Sequence, residues 1–391
     1  MISVNEAIQF VENNSSVGEK KNLFLIDALN HILSKDIISP MNMPPFRQSA
    51  MDGYALHIQK SGTYTIIDEV KAGDGHHPTL NKGEAVRIFT GAAVPDSANA
   101  VVMQEKVTVV GSELSLQKPV LQEENIRKLG EQAQKGAIAL RKGTKLTPAG
   151  IGYLGSLGIT KVEVYKKPTI AIVTTGNELT EPGKPLEYGK IYESNSIMLA
   201  SVLNTLGFLD YSIHKVADNY QDTRTLLRDV ISSNNMVIVT GGISVGDYDF
   251  VGKALEEIMV EQIFYKVKQK PGKPLFFGKK ENTHIFALPG NPAAALSCFY
   301  LYVYPSLQIL SGKLDFSLPR VKAKSLTEYT RKGDRAHFLK AFLLNNEVQI
   351  LDGQSSSMLQ TFALANVLVH VPEEIEHIKI GDTIEVICLP N

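Results

Sequence analysis

MVIVTGGISVGDYD, residues 236–249, decides the fold. Met236–Thr240 is a short apolar run rich in β-branched side chains, and it breaks straight into the loop Gly241-Gly242-Ile243-Ser244-Val245-Gly246-Asp247. Such runs, closed by turn signals, read as strands buried on both faces, the kind that parallel sheets use. The pattern recurs on either side. Upstream, Ile170–Val173 runs into Thr174-Thr175-Gly176-Asn177-Glu178; downstream, HIFALPGN (residues 284–291) leads into Leu288-Pro289-Gly290-Asn291-Pro292. Helical stretches lie between them: Ser196–Leu206, then a segment in which Leu226 and Val230, and Leu227 and Ile231, sit four apart. Strands alternating with helices from Pro168 to about Leu310 predict parallel strands joined by right-handed crossovers. The expected fold class is therefore α/β and multidomain: an open α/β sheet with helices on both faces, and ligands beyond the carboxyl ends of its strands.

Outside this region the texture changes. Residues 39–136 are rich in Gly, Pro and short alternating runs such as Thr63–Val70, Val86–Phe89 and Ala100–Val110, which predict a β-rich module. After Leu318, VKAKSL, HFLKAFL, EVQIL, NVLVHV and TIEVICL read as short strands of a small barrel or sandwich. Leu140–Thr144 reads as a strand, and Thr147 and Pro148 as the N-cap and first residue of a helix. At the amino end Ser3 and Glu6 have capping-box spacing, Val4, Ile8 and Val11 share a helical face, and the pattern of a secretory leader is missing. Ile285–Ser311 carries no charged side chain, but Pro289, Gly290, Asn291, Pro292 and Pro305 interrupt it. A buried core helix is expected there, with no membrane span.

The 391 residues are 43% hydrophobic and 21% charged, with 40 Lys+Arg against 41 Asp+Glu. That suits roughly two to four domains and excludes a disordered chain. A near-zero net charge argues against a chain-wide nucleic-acid footprint, so any recognition of anions has to be local. Cys298 and Cys388 are too few for a disulfide framework or a four-ligand zinc site. Their use fits a reducing, cytoplasmic compartment.

Three loops at strand ends suit phosphate, because glycine lets backbone amides approach a ligand and a helix N-terminus offers unpaired N–H groups. They propose Gly241, Gly242, Ser244, Pro289, Gly290, Asn291 and Pro292 as binding residues. Each loop alone is equally well explained by turn chemistry; three together favour a ligand. In YKVKQKPGKPLFFG (residues 265–278), Lys266, Lys268 and Lys270 alternate as on one face of a strand, and Lys273 follows a Pro-Gly turn. A charged edge strand would look the same, but the lysines lead into the LPGNP loop, which favours anion binding. Glu178, Asp218, Asp247 and Asp249 lie in or just after strand-end loops. Acids beside phosphate point to Mg²⁺; helix capping is the plainer role, for Asp218 above all. A second cluster is FRQSAMDGYAL (46–56) with RIFTGAAVP (87–95), where Gly53 suggests a turn presenting Asp52, and Thr90-Gly91 closes a strand. His76-His77 reads as a solvated loop pair and the two cysteines as packed and inert.

The motifs SAMDGYA, FTGAAVP, AVVMQE, TTGNEL, GGISVGDYD, KPGKP and LPGNPAA, in this order over nearly the whole chain, resemble the molybdopterin molybdenumtransferase (MoeA) family, related to the E domain of gephyrin. The resemblance implies an elongated homodimer of four modules: a segmented N-terminal module (1–38 and 137–167), an inserted β-rich module (39–136), an α/β module related to molybdopterin adenylyltransferases (168–316) and a C-terminal β-barrel (317–391). It implies that adenylated molybdopterin plus molybdate gives molybdenum cofactor and AMP with a divalent cation, Mg²⁺. By motif it assigns Asp52, Thr90, Glu178, Asp218 and Asp249 to the catalytic cleft and Glu178 and Asp249 to the metal. Lys266 and Lys270 match basic residues of the cleft, Pro289 and Pro292 its LPGNP prolines, and Arg335 and Ser357 positions near the molybdate end. Implied partners are a molybdopterin adenylyltransferase that delivers substrate and apo-molybdoenzymes or their chaperones that accept product. The sequence departs from the family at Gln132, Asn177 and Arg47-Gln48, where acids, or Asp-Asn, are common. Two other readings compete: the adenylyltransferase step itself, and a molybdopterin-binding scaffold or storage protein.

Overall fold

The computed structural model describes residues 1–243 and 250–390. The chain forms two compact units, residues 1–21, 30–34 and 163–391 in one and 22–29 and 35–162 in the other.

In the larger unit six strands line up as Tyr211–Val216, Ile170–Thr175, Met236–Thr240, Thr283–Leu288, Phe276–Lys280 and Glu261–Tyr265. The first four run parallel, as the strand–helix alternation predicts. Phe276–Lys280 joins antiparallel, because only Glu281 and Asn282 separate it from Thr283–Leu288 and so short a link permits only a hairpin, and Glu261–Tyr265 pairs antiparallel on its other side. Side-chain alternation distributes the core. Ile170 and Ile172 face a cluster that includes Val4, Val11, Leu199 and Phe299; Ala171 and Val173 face one with Leu227, Ile231, Val251 and Leu255. Helices therefore cover both faces.

The amino-terminal helix, Val4–Asn14, has the expected capping box: Ser3 and Glu6 exchange side-chain-to-backbone bonds. The uncharged segment is a core helix running from Pro292 to Leu310 through a π-helical turn at Phe299–Val303. It is long and apolar enough to cross a membrane, but nearly all of it is buried in the protein. Beyond it, Arg320–Ser325, Ala336–Leu344, Glu347–Ile350, Val367–Val371 and Thr383–Cys388 close into a five-stranded barrel. Closure satisfies every edge with no partner sheet.

The expected lysine strand does not form. Glu261–Tyr265 ends before the lysines, Lys266 takes a φ of +68°, and Gln269–Lys270 is a separate two-residue strand paired with Ala336–His337 of the barrel. The lysines consequently do not share one face. Pairing with a remote strand overrides the local alternation.

The smaller unit holds a six-stranded sheet ordered Ala100–Met103, Gly53–Leu56, Glu84–Ile88, Thr63–Val70, Glu113–Leu116 and Val107–Val110. Ala55, Val86 and Ile88 pack on one face and Leu56, Ala85 and Val102 on the other. Ile138–Leu140 is the strand expected at 140–144, shifted towards the amino end. The helix Pro148–Ser156 is capped as expected, with Thr147 accepting from the Gly150 N–H.

Candidate functional site

At the carboxyl ends of the parallel strands lies a cavity of about 560 Å³. It brings together Glu178, Asp218, Gly241, Gly242, Pro289, Gly290 and Asn291, residues more than a hundred positions apart that the sequence had proposed separately. Gly241 (φ +93°) is required here: a Cβ would stand 2.3 Å from the Thr175 carbonyl, so the two strand-end loops touch backbone to backbone. Ser244, Asp247 and Asp249 lie outside the described residues. A smaller cavity, about 320 Å³, sits at the opposite ends of the same strands. There Lys167 and Lys279 bond carbonyls that follow or end helices, at Gly207 and Asn14, which accounts for them structurally.

The loop after Ile170–Thr175 does not lead straight into a helix. Leu179–Thr180 and Ile191–Tyr192 pair as a small flap, and the helix begins only at Asn195. What the loop positions is acid. Asp218 Oδ1 accepts from the Thr175 hydroxyl (2.7 Å) and Oδ2 from the Asn177 N–H (3.1 Å), while Asn177 Oδ1 accepts from the Asp218 N–H (3.1 Å). The amide at 177 thus performs a bracing role, and Asn219, not Asp218, caps the next helix. Glu178 folds its carboxylate back over Gly176, where a Cβ would come within 2.7 Å of it. Among the described residues that carboxylate has no hydrogen-bond partner.

Sequence reasoning named Thr175 only as part of its loop and missed two further polar residues of this wall, Glu193 and Asn195. Thr175 fixes Asp218. Glu193 is buried and takes both the Ser196 N–H (2.9 Å) and hydroxyl (2.5 Å). Asn195 donates to Thr240 Oγ1 (2.7 Å) and the Gly290 carbonyl (2.8 Å), strapping the LPGNP loop to the central strand. The only advance signal was the polar run Glu193-Ser194-Asn195-Ser196 ahead of an apolar helix.

The LPGNP loop continues the site towards the barrel. Pro292 takes the first position of the core helix, Asn291 Nδ2 donates to Ser356 Oγ (2.9 Å), and the Ala294 N–H to the Ser356 carbonyl (3.2 Å). Ser357 sits in the same turn, its hydroxyl 3.2 Å from that of Ser355. This serine turn has an unexpected organiser. Lys340 is buried, and its ammonium donates to the carbonyls of Gly353, Ser355 and Met358 at 2.8, 3.1 and 3.1 Å. Burial pushes its pKa down, and three carbonyls compensate for lost water.

The basic run is sorted by its partners. Lys268 pairs with Glu373 (3.3 Å) and Asp334 (3.7 Å), and Lys266 lies over the Tyr265 ring. Lys270 and Lys273 are exposed; neither lines the cavity, whose wall reaches only Pro274. Arg335 donates to the Gln269 carbonyl at 3.4 Å. The field of these cations registers on His337, which is buried in register with Lys270: desolvation first, then Lys270, Arg331 and Arg335, lower its pKa to about 4.

In the smaller unit Asp52 and Thr90 meet as the motif pair suggests. Asp52 Oδ1 accepts from the Thr90 N–H and hydroxyl, both at 2.7 Å. The Thr90 backbone bond, then its hydroxyl, hold the Asp52 carboxyl below the usual carboxylate range. Gly53 is not a turn residue but the first of a strand, and a Cβ there would lie 1.8 Å from the Val102 carbonyl. Arg47, at a departure position, braces the loop by donating to the Ala98 carbonyl (2.9 Å) and pairing with Glu123 (3.4 Å). His76 bonds the half-buried Asp68, and no cluster of three potential metal ligands occurs among the described residues. Cys298 is buried with its thiol pKa raised, and Cys388 is half-buried.

Comparison with known proteins covers the whole chain. Residues 2–158 match the MoeA N-terminal region (domain I and II), 171–309 a probable molybdopterin binding domain, and 322–389 the MoeA C-terminal region (domain IV). The molybdopterin molybdenumtransferase of Haemophilus influenzae is 36% identical, with 93% of this chain and 92% of that protein covered. That of Staphylococcus aureus is 31% identical over 99% and 95%. A crystal structure of the molybdopterin biosynthesis moeA protein from Pyrococcus horikoshii superposes with a TM-score of 0.86 at 28% identity, covering all of both chains. Identity spread over all three matched regions, not only the α/β region, is what makes this chain a member of the molybdopterin molybdenumtransferase (MoeA) family.

Proposed function

We propose that this protein inserts molybdate into adenylated molybdopterin and releases AMP, giving molybdenum cofactor. The observation that carries the reading is the continuity of the site: the acid-lined cavity runs through Asn291 to the serine turn of the barrel. An adenylated, phosphate-bearing pterin needs acids and amides at one end, and an incoming oxyanion needs hydroxyls and cations at the other. The adenylyltransferase reading accounts only for the α/β region, and neither it nor a non-catalytic scaffold is favoured by the relatives.

On this reading Asp52, oriented by Thr90, is the acid required for cleaving the adenylate, with Glu178, Asp218 and Asp249 as acids of the cleft. Gly241, Gly242, Ser244, Pro289, Gly290, Asn291 and Pro292 border the pterin phosphate; Lys266, Lys270 and Lys273 offset its charge; Arg335 and Ser357 receive molybdate. A bound Mg²⁺ would stabilise charge on the phosphoanhydride oxygens. Glu178 suits such an ion, because its carboxylate is open to the cavity and Mg²⁺ keeps several waters and takes few carboxylates. Asp218 suits it less, each of its oxygens already accepting one bond from the loop; Asp249 is the second proposed ligand. Positioning and electrostatics supply most of the rate, and no covalent nucleophile is called for. We also propose the four-module division, a cytoplasmic homodimer, and partners that deliver adenylated molybdopterin and accept the product.

Purified protein given adenylated molybdopterin, Mg²⁺ and molybdate is expected to release AMP and to yield cofactor that activates an apo-molybdoenzyme. Running molybdate beside tungstate identifies the preferred oxyanion. Binding without AMP release under both oxyanions would overturn the proposal in favour of a scaffold.

A further inference from the structure

The turn that carries Lys270 and Lys273 sits on a buried polar knot. Gln269 is fully buried. Its Nε2 donates to the carbonyls of Pro271 (3.1 Å) and Gly272 (3.3 Å) and lies 3.4 Å from the Cys298 sulfur; its Oε1 accepts from the Tyr302 hydroxyl. Tyr302 and Cys298 are themselves fully buried, at the π-helical turn of the core helix and just before it. Gly272 (φ +87°) presses directly onto the knot, since a Cβ would come within 2.4 Å of Cys298 Sγ and 2.9 Å of Gln269 Nε2. The backbone of the same glutamine faces the other way. Gln269–Lys270 pairs with Ala336–His337 of the barrel, and the Gln269 carbonyl accepts from Arg335.

A fully satisfied amide in a low-dielectric core is rigid, because every alternative orientation leaves donors or acceptors unpaired. Gln269 therefore fixes two things at once: the backbone turn between Lys270 and Lys273, and the attachment of Arg335. We propose that Gln269 is a positioning residue that holds Lys270, Lys273 and Arg335 as one rigid anion-binding unit, with Tyr302 locking its amide. The proposal rests on reading the basic turn as the place where anionic substrate groups bind. Nothing in the charge pattern announces it, because Gln269 is the one uncharged polar residue in a run of lysines.

The test compares AMP affinity by calorimetry, and KM for molybdate against kcat, in four proteins: wild type, Lys270→Ala, Tyr302→Phe and the double variant Gln269→Met/Tyr302→Phe. The double variant exchanges both partners of the central bond for apolar groups of similar size, which limits the loss of stability. Tyr302→Phe, lacking one hydroxyl, is the milder form should the double variant not fold. All are assayed below their melting temperatures. The expected result is AMP affinity and molybdate KM both worsened about tenfold in the double variant and less in Tyr302→Phe, with kcat changed less than either. Wild-type AMP affinity and molybdate KM in a folded double variant, or in Tyr302→Phe where only that folds, would overturn the positioning role. Unchanged AMP affinity in Lys270→Ala would instead overturn the reading of the turn, and the proposal with it.

Discussion

Asp52 and Asp218 are both aspartates bonded by a threonine hydroxyl, yet they retain different chemical capacity. Asp52 gathers both Thr90 donors on Oδ1, is exposed, and leaves Oδ2 without a partner among the described residues. Asp218 has both oxygens occupied, one by Thr175 and one by Asn177, and its own N–H returns a bond to Asn177. An acid with one oxygen held and one open suits the catalytic role proposed for Asp52. An acid whose two oxygens each accept a bond from its own loop has less capacity left for a ligand and braces that loop as well. The residue type is the same, and the hydrogen bonds decide the role.

The largest expected effect is from Asp52→Asn, which keeps an acceptor for Thr90 and removes the charge. AMP release should fall about a hundredfold or more with the melting temperature unchanged; near-normal turnover would place Asp52 in the frame beside Asp218. Asp218→Ala should show the opposite profile. Losing two side-chain bonds and leaving Thr175 and Asn177 unpaired is expected to cost about 2 kcal/mol in denaturant unfolding, and activity should follow the loss of the loop. Thr90→Val comes next. Its effect is read in the pH dependence: the Thr90 bonds lower the Asp52 pKa, so removing the hydroxyl raises it, and the acid limb of the rate profile should move to higher pH. An unmoved limb would mean that Asp52 ionisation does not govern the rate. Asn177→Asp should matter least, within about 0.5 kcal/mol, because the new carboxylate still accepts the Asp218 N–H through the same oxygen position.

Much of this was legible in advance, for identifiable reasons. Ile170–Thr175 and Met236–Thr240 announce buried parallel strands because every position is apolar or β-branched, and Ser3, Glu6, Thr147 and Pro148 announce helix starts through local bonds. The Asp52–Thr90 pair was visible as two similar motifs, though Gly53 was misread: a glycine demanded by a neighbouring strand's carbonyl looks the same in sequence as one demanded by a turn. The lysine run misled because alternation is local, whereas Gln269–Lys270 answers to a barrel strand more than sixty residues away and Lys268 to Glu373. Lys340 was hidden altogether. A lysine enclosed by three carbonyls depends on the return of a distant loop and leaves no pattern around itself.

The most direct test of the account follows AMP release and cofactor formation in the same single-turnover sample of protein, adenylated molybdopterin, Mg²⁺ and molybdate. The predicted result is equal amounts of AMP and active cofactor appearing together in the wild type, and both appearing about a hundredfold more slowly or not at all in the Asp52→Asn variant although it binds the substrate. AMP released without cofactor, or cofactor formed at the wild-type rate by Asp52→Asn, would contradict it.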